Sequence, residues 1–79
     1  MKLSKLLDVT RCSELIEVYT KNDVCGEVSI FKGLMWDFYI APNARDRYHD
    51  YYKKEVDVIE SYYDDDLDDS IITITIINN

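Results

Sequence analysis

The chain has 79 residues, of which 16 are Asp or Glu and nine are Lys or Arg, so its formal net charge is −7. A chain of this length forms one domain, residues 1–79, and one Pro with two Gly excludes a linker or a disordered tail. Two cysteines are too few for a small secreted disulfide scaffold, and no apolar stretch is long enough to span a bilayer. We therefore predict a single cytoplasmic domain with reduced thiols and no membrane anchor.

The first half of the sequence predicts a short helix followed by a β-hairpin. Leucines at helical spacing indicate a helix over Lys2–Asp8. A strand is predicted over Glu14–Thr20, and Lys21–Asp23 supplies turn residues. Its two faces would be Leu15, Glu17 and Tyr19 on one side and Glu14, Ile16 and Val18 on the other. A second strand is predicted over Val24–Phe31, where Gly26 would mark a bulge.

The middle of the sequence predicts a buried segment and then an amphipathic helix. Residues Leu34–Ile40 are almost wholly apolar, so we expect them to be buried, either as a short helix or as a strand. Ala41–Asn43 interrupts this segment. A helix follows over Ala44–Lys54, and Asn43 with Asp46 three residues later resembles a capping box at its start. The apolar stripe of this helix consists of Ala44, Tyr48, Tyr51 and Tyr52.

The last third of the sequence predicts a second hairpin. Alternation over Glu55–Tyr63 indicates a third strand, and the aspartate run after it is expected to be a loop. Ile and Thr alternate over Ser70–Ile77, with Ile72, Ile74 and Ile76 as the core face. Because such a strand would aggregate at an exposed edge, we expect it in the interior of the sheet. These elements predict an α+β fold, a small and mainly antiparallel sheet of about four strands in two hairpins, with a central helix packed on one face.

The negative charge is concentrated at the C-terminal end of the sequence. Residues 55–79 contain eight acids and no Lys or Arg, whereas residues 1–54 contain eight acids and all nine bases. This asymmetry is typical of a surface that binds a basic partner. We predict a partner-binding set of acids, together with two tyrosines that would supply aromatic contacts. Its members are Glu55, Asp57, Glu60, Tyr62, Tyr63, Asp64, Asp65, Asp66, Asp68 and Asp69.

The aspartate run suggests mimicry of nucleic acid. An extended peptide rises by about 3.3 Å per residue, and phosphates along one strand of duplex DNA are spaced by about 3.4 Å. An acidic ridge of comparable charge density would occupy a site lined with Arg and Lys and exclude the nucleic acid. The alternative is that these acids only keep a small Ile-rich protein in solution and protect the edge of its sheet.

The sequence contains no complete catalytic or metal-binding motif. Asp64, Asp66 and Asp68 match the first three ligand positions of an EF-hand, but Asp69 stands where Gly is required and Thr75 where Glu is required. No glycine-rich phosphate loop and no zinc-ligand spacing occur. We therefore predict no catalytic residue, no metal and no cofactor. The net negative charge also argues against direct binding of nucleic acid.

Several segments resemble small proteins encoded by phages and prophages of low-GC bacteria. They are Met1–Leu7 (MKLSKLL), the hairpin segment Glu17–Asp23 (EVYTKND), the acidic turn and the terminal Ile-rich strand. Some such proteins are anti-CRISPR proteins, and several of those are acidic DNA mimics that occupy the duplex-recognition surface of a Cas effector. The resemblance implies a non-enzymatic inhibitor of a nucleic-acid-handling bacterial defence protein. In effectors such as Cas9, arginines read the PAM in the major groove, and an acidic ridge could block such a site.

Two other functions are left open by the sequence. One is a structural or assembly module, a homodimer formed through a sheet edge or through an aromatic patch at Trp36–Tyr39, so the chain would be a monomer or a weak homodimer. The other is an enzyme, which would need a ligand-sized pocket containing His49 and a buried carboxylate. An assembly module predicts a size that depends on protein concentration with little sensitivity to salt.

Overall fold

A computed structural model describes residues 1–24 and 26–78 and contains a four-stranded sheet with helices packed on one face. The strands are β1 (Leu15–Asn22), β2 (Gly26–Leu34), β3 (Val56–Asp64) and β4 (Asp69–Ile77). The helical elements are α1 (Leu3–Asp8), a π-helical turn (Trp36–Ile40) and α2 (Ala44–Tyr52). The predicted α+β fold is therefore confirmed.

The strands lie in the order β2-β1-β4-β3. β1 and β2 form one antiparallel hairpin, and β3 and β4 form the other. The two hairpins meet in the centre of the sheet, where β1 and β4 run parallel. The interior position of β4 is confirmed, and it keeps the most Ile-rich strand away from an edge. Because this central pair is parallel, the sheet is mixed. The alternation of residues along each strand does not predict the direction of its neighbour.

The core lies between the helices and one face of the sheet. Ile16 and Val18 of β1 and Ile74 and Ile76 of β4 are buried there, as the alternation of both strands predicts. Phe38 of the π-helical turn is fully buried among aromatic rings. Its ring centroid lies 5.0 Å from that of Phe31, 4.6 Å from that of Tyr48 and 5.6 Å from that of Tyr52. The helical face is completed by Leu3, Leu7, Met35 and Tyr52.

The segment Leu34–Ile40, predicted to be either helix or strand, is divided: Leu34 ends β2, and Trp36–Ile40 forms a single π-helical turn. The backbone N–H of Ala41 donates to the carbonyl of Trp36 over 2.8 Å, which closes the wider ring of a π-helix. Met35 and Phe38 face the core, whereas Trp36 is 42% exposed and Ile40 is also exposed. The expectation that this segment is buried therefore holds for only part of it.

Two local predictions are wrong. Gly26 does not form a bulge; it begins β2 with a φ of 71°, in the left-handed region that a turn requires and glycine tolerates. The bulge lies at Ile30, between Phe31, which pairs with Val18, and Ser29, which pairs with Tyr19.

The capping box at the start of α2 is also absent, because the side chain of Asn43 makes no capping hydrogen bond. The helix begins at Ala44, and its two buried residues, Ala44 and Tyr52, lie at its two ends. Of the two cysteines predicted to be reduced, Cys12 is exposed with a free thiol. Cys25 lies outside the described residues.

Candidate partner-binding surface

The predicted acidic ridge follows the edge strand β3 and the turn that connects it to β4. β3 spans roughly 27 Å, since each residue adds about 3.4 Å. Glu55 and Asp57 lie at its beginning, Glu60 at its middle and Asp64 at its end. The remaining acids belong to the acidic turn, residues 64–69. The structure therefore places the predicted acids along one edge, with two at the start of β3, five at its other end and Glu60 between them.

The acidic turn is closed by its own side chains. The Oδ1 atom of Asp64 accepts hydrogen bonds from the backbone N–H groups of Asp66 over 2.9 Å and Leu67 over 3.3 Å. Aspartate favours such turns because its short side chain reaches the backbone two residues ahead. Asp68 has a φ of 52°, a left-handed conformation that aspartate tolerates. The hydroxyl of Tyr63 donates a hydrogen bond to the carboxylate of Asp68.

This geometry corrects one argument from the sequence. The aspartate run is not extended, so its carboxylates do not follow the regular spacing of an extended chain. Asp64 and Asp69 face each other across the hairpin instead, and the four residues between them form the tip. The turn therefore presents a compact cluster of carboxylates rather than a linear series.

Three acids of the predicted set have a cationic partner. Glu55 accepts from the amino group of Met1 over 2.9 Å, and this bond lowers the pKa of Glu55. Asp57 lies 3.4 Å from the Nζ atom of Lys21. Asp64 lies 3.3 Å from Nζ of Lys32. Removal from water raises the pKa of Asp64, but hydrogen bonds from the Leu67 backbone and the Lys32 ammonium outweigh this effect and lower it. These charges are thus partly neutralised within the chain.

The other five acids carry uncompensated charge. Within residues 1–24 and 26–78, no ammonium or guanidinium nitrogen lies within 4.0 Å of their carboxylates. Four of the five belong to the acidic turn, so this turn concentrates unpaired negative charge at one end of β3. The five are Glu60, Asp65, Asp66, Asp68 and Asp69.

The two predicted tyrosines lie on opposite faces of β3. Tyr63 is 56% exposed and contacts the acidic turn through Asp68. Tyr62 is 39% exposed and lies on the face of the sheet that no helix covers in the described part of the chain. Its hydroxyl donates to Oε1 of Glu17 over 3.3 Å. The structure thus brings only Tyr63 together with the aspartates.

The second face of the sheet, called here the open face, contains a site that the sequence analysis did not assign. The strand register aligns one row of residues across all four strands and a second row beside it. The first row consists of Lys32, Glu17, Thr73 and Glu60, and the second of Ser29, Tyr19, Thr75 and Val58.

Glu17 lies at the centre of the open face and is only 8% exposed. The hydroxyl of Ser29 donates to its Oε2 atom over 3.0 Å, and Tyr62 donates to its Oε1 atom. Burial, followed by a hydrogen bond to Glu17, raises the pKa of Tyr19. A signal for this site exists in the sequence, because Glu17–Tyr19 and Glu60–Tyr62 both have the pattern Glu-x-Tyr.

Two concave regions lie beside these residues. The first, called here the tyrosine cleft, has a volume of about 310 Å³ and lies over the open face. Its lining consists of Tyr19, Glu27, Val58, Glu60, Tyr62, Thr73 and Thr75. The second also has a volume of about 310 Å³ but is mostly apolar, and it lies where Leu67 of the acidic turn approaches Leu15 and Ile71.

The residues considered for metal binding and catalysis are arranged as follows. Asp64, which would be the first ligand of an EF-hand, is engaged by the turn and by Lys32. Among the residues that the structure describes, no group of three or more His, Cys, Asp or Glu side chains could hold a metal ion. His49 is exposed on α2, with its Nε2 atom 3.1 Å from the equally exposed Asp50.

Comparison with known proteins gives no relative for this chain. No family model matches it, and neither a curated protein nor a solved structure matches it. Of the helices described, none has the length and apolar character needed to cross a membrane.

Proposed function

We propose that this protein is a non-enzymatic inhibitor that binds a nucleic-acid-handling protein of bacterial defence in the cytoplasm, with carboxylates in the place of phosphates. The observation that supports the proposal is the acidic turn. Asp65, Asp66, Asp68 and Asp69 carry no cation within the described residues, and they are held in a hydrogen-bonded hairpin tip. A basic groove that recognises a phosphate backbone would attract such a cluster.

The turn is suited to binding because it is already folded. Two backbone hydrogen bonds to Asp64 and the bond from Tyr63 to Asp68 fix the tip before a partner arrives. A preorganised contact loses less conformational entropy on binding than a disordered acidic tail would lose. Exposed charges also steer the encounter, so we expect fast association that is slowed by salt.

The candidate targets are Cas effectors, which the resemblance of the sequence suggests. Such effectors read the PAM with arginines in the major groove of duplex DNA. Carboxylates of the acidic turn would pair with those arginines and compete with the DNA for them. The inhibitor would then prevent target recognition without any chemical reaction of its own.

The test is a binding measurement with a matched charge control. In the turn variant Asp65, Asp66, Asp68 and Asp69 are replaced by Asn, which keeps the oxygen acceptors and tolerates the left-handed residue. In the control variant, Asn replaces four exposed aspartates that lie outside the turn, Asp23, Asp37, Asp46 and Asp50. Both variants lose four negative charges, so any difference in their binding comes from the position of the charges and not from the net charge.

Association with a panel of purified Cas effectors is then measured at low and high salt by surface plasmon resonance. We expect the turn variant to associate at least about tenfold more slowly than the control variant, because steering depends on local charge. Competition by PAM-containing duplex DNA would identify the occupied site. Equal association rates for the two variants would refute the role of the acidic turn.

A homodimer is the second candidate, and the exposure of Trp36 and Ile40 on the π-helical turn is the observation that favours it. Tyr39 of the same patch is less available, because its hydroxyl donates to Asp8 over 2.6 Å and its ring packs on Tyr52. A molecular mass that doubles with concentration in light scattering, and returns to the monomer in Trp36→Ala, would support this candidate instead.

A further inference from the structure

We infer that the tyrosine cleft on the open face binds a guanidinium group, the side chain of an arginine on a basic protein. This inference rests on the proposed function for the identity of the partner. It concerns a different part of the surface from the acidic turn, and it names the chemical group that this second part accepts.

The first observation is a buried carboxylate beside the cleft that lacks a cation. Among the described residues, Glu17 receives hydrogen bonds from the neutral hydroxyls of Ser29 and Tyr62, and a further hydrogen bond joins it to Tyr19. No ammonium or guanidinium nitrogen of that part of the chain lies within 4.0 Å of it. Removing a carboxylate from water is costly unless a positive charge compensates it. A cation that entered the cleft would supply that compensation.

The two lysines nearest to the cleft each pair with an aspartate outside it. Lys32 lies opposite Glu17 in the strand register; its Nζ atom is 3.3 Å from Asp64, and the same side chain also hydrogen-bonds Tyr62 at the cleft. Lys21 lies opposite Glu27 in the strand register, and its Nζ atom is 3.4 Å from Asp57. Neither lysine lines the cleft, whereas two glutamates do. The local charge is therefore complementary to a cation and repels phosphate and carboxylate ligands.

The composition of the lining favours guanidinium over ammonium. Tyr19 and Tyr62 supply aromatic rings, on which the planar and weakly hydrated guanidinium stacks better than a compact ammonium. Its five N–H donors could be shared between Glu60 at the rim and the hydroxyls of Thr73 and Thr75 on the floor. A volume of about 310 Å³ is at the lower limit for small-ligand sites, which suits one side chain.

The distance between the cleft and the acidic turn sets the spacing of the basic groups that a partner needs. Glu60 and Asp64 lie four residues apart on β3, which is roughly 14 Å at about 3.4 Å per residue. A partner that pairs its basic groove with the turn would need one further arginine at about that distance to fill the cleft. The two contacts together would fix the orientation of the inhibitor on its target.

The test is an NMR titration with N-acetyl-arginine amide as the probe. Its neutral isostere, N-acetyl-citrulline amide, and N-acetyl-lysine amide serve as matched ligands. We expect the arginine probe alone to give saturable shifts of the backbone amides of Tyr19, Thr73 and Thr75, with a Kd on the order of millimolar, as is usual for a single side chain. Glu60→Gln should weaken this binding about tenfold, because a charge-assisted hydrogen bond is lost. Glu17→Gln removes the charge, keeps an oxygen acceptor for one of the two hydroxyls of Ser29 and Tyr62, and should weaken this binding as well.

Three results would overturn the inference. They are the absence of saturable shifts in the cleft, equal binding of the citrulline or lysine probe, and shifts confined to the acidic turn. The turn variant with four Asn substitutions should bind the arginine probe as wild type does, because its cleft is intact. Since the titration contains no macromolecular partner, its failure would leave the proposed function standing. Conversely, failure of the protein to bind any effector would not change the binding of the arginine probe to the cleft.

Discussion

The hydroxyl of Tyr63 donates a hydrogen bond to the carboxylate of Asp68, the one described residue other than glycine with a positive φ. The last aromatic residue of β3 thus holds the strained position of the turn that follows it. This bond, together with removal from water and the charge of Asp69, raises the pKa of Tyr63. The side chain predicted as an aromatic contact is therefore also a support for the acidic turn.

Replacement of Tyr63 by Phe should loosen the acidic turn and leave the sheet unchanged. The substitution removes the hydroxyl that holds Asp68 but keeps an aromatic ring for contact with a partner. We expect faster amide hydrogen exchange at Asp66, Leu67 and Asp68 and unchanged exchange in β4. If exchange at the tip is as slow as in wild type, the hydroxyl does not hold the turn.

Replacement of Asp64 by Ala should destabilise the protein more than replacement of Asp65 by Ala. Asp64 accepts two backbone hydrogen bonds and pairs with Lys32, whereas no contact of this kind involves the side chain of Asp65 in the described residues. Urea unfolding gives the comparison directly, because both variants lose one negative charge in the same turn. Equal unfolding midpoints would show that closure of the turn does not depend on Asp64.

The Asp64 carboxylate also predicts a dependence of stability on acid pH. Its pKa is lowered in the folded protein, so its contribution is present above the ordinary carboxyl pKa of about 4 and is lost as pH falls through the folded value. Urea titrations between about pH 6 and pH 2 should therefore show a smaller acid-induced loss of stability in Asp64→Ala than in wild type. A parallel loss in both proteins would assign the acid sensitivity to other groups.

Replacement of Tyr52 by Phe tests the buried hydrogen bond between α2 and the π-helical turn. The hydroxyl of Tyr52 donates to the backbone carbonyl of Phe38 over 2.5 Å, and both residues are buried. Loss of this bond leaves a buried carbonyl without a donor, which should cost about 1–3 kcal/mol of unfolding free energy. Chemical denaturation at neutral pH measures this cost.

Tyr52 also predicts a dependence on alkaline pH. Burial raises its pKa, so its contribution is present below the ordinary tyrosine pKa of about 10 and is lost as pH rises through the higher folded value. Stability measured from pH 8 to pH 12 should fall less steeply in Tyr52→Phe than in wild type. The same slope in both proteins would contradict a role for the ionisation of Tyr52.

The interior position of β4 can be tested by comparing the same substitution at Ile74, in the middle of the strand, and at Ile77, at its end. Ile74 is buried between β1 and β3, whereas Ile77 is partly exposed. Ile74→Val should cost about 0.5–1.5 kcal/mol in a packed core. Ile77→Val should change the unfolding free energy by less than about 0.5 kcal/mol. Similar costs at both sites would argue against the interior position of β4.

The sequence predicts the elements of this fold better than their arrangement. Alternation of Ile and Thr identifies β4 and its core face, because side-chain direction has a period of two in a strand. It does not identify the neighbour of β4, since parallel pairing with β1 depends on packing between distant segments. The π-helical turn was ambiguous for a similar reason, because a short apolar segment is compatible with helix and strand.

In the candidate site, too, the sequence predicts individual residues better than the contacts between them. The acidic turn is visible in the sequence as a run of aspartates, but its closure by Asp64 and Tyr63 depends on the folded backbone. Tyr62, which donates a hydrogen bond to Glu17, is distant in sequence and reaches it only after β3 has joined the sheet. A pattern within one strand cannot report a contact that two hairpins create together.

The parallel contact between β1 and β4 also has a consequence for how the chain folds. Each hairpin can form locally, but Ile16 of β1 meets Ile72 of β4 only after a long loop has closed. Non-local pairing of this kind slows folding, so we expect the joining of the two hairpins to limit the rate. In stopped-flow refolding, Ile74→Val should then slow folding more than a destabilising substitution at the tip of either hairpin. Until that joining occurs, we expect the Ile-rich strand to lie at an unprotected edge, where charge repulsion from the nearby acidic turn would keep such intermediates apart.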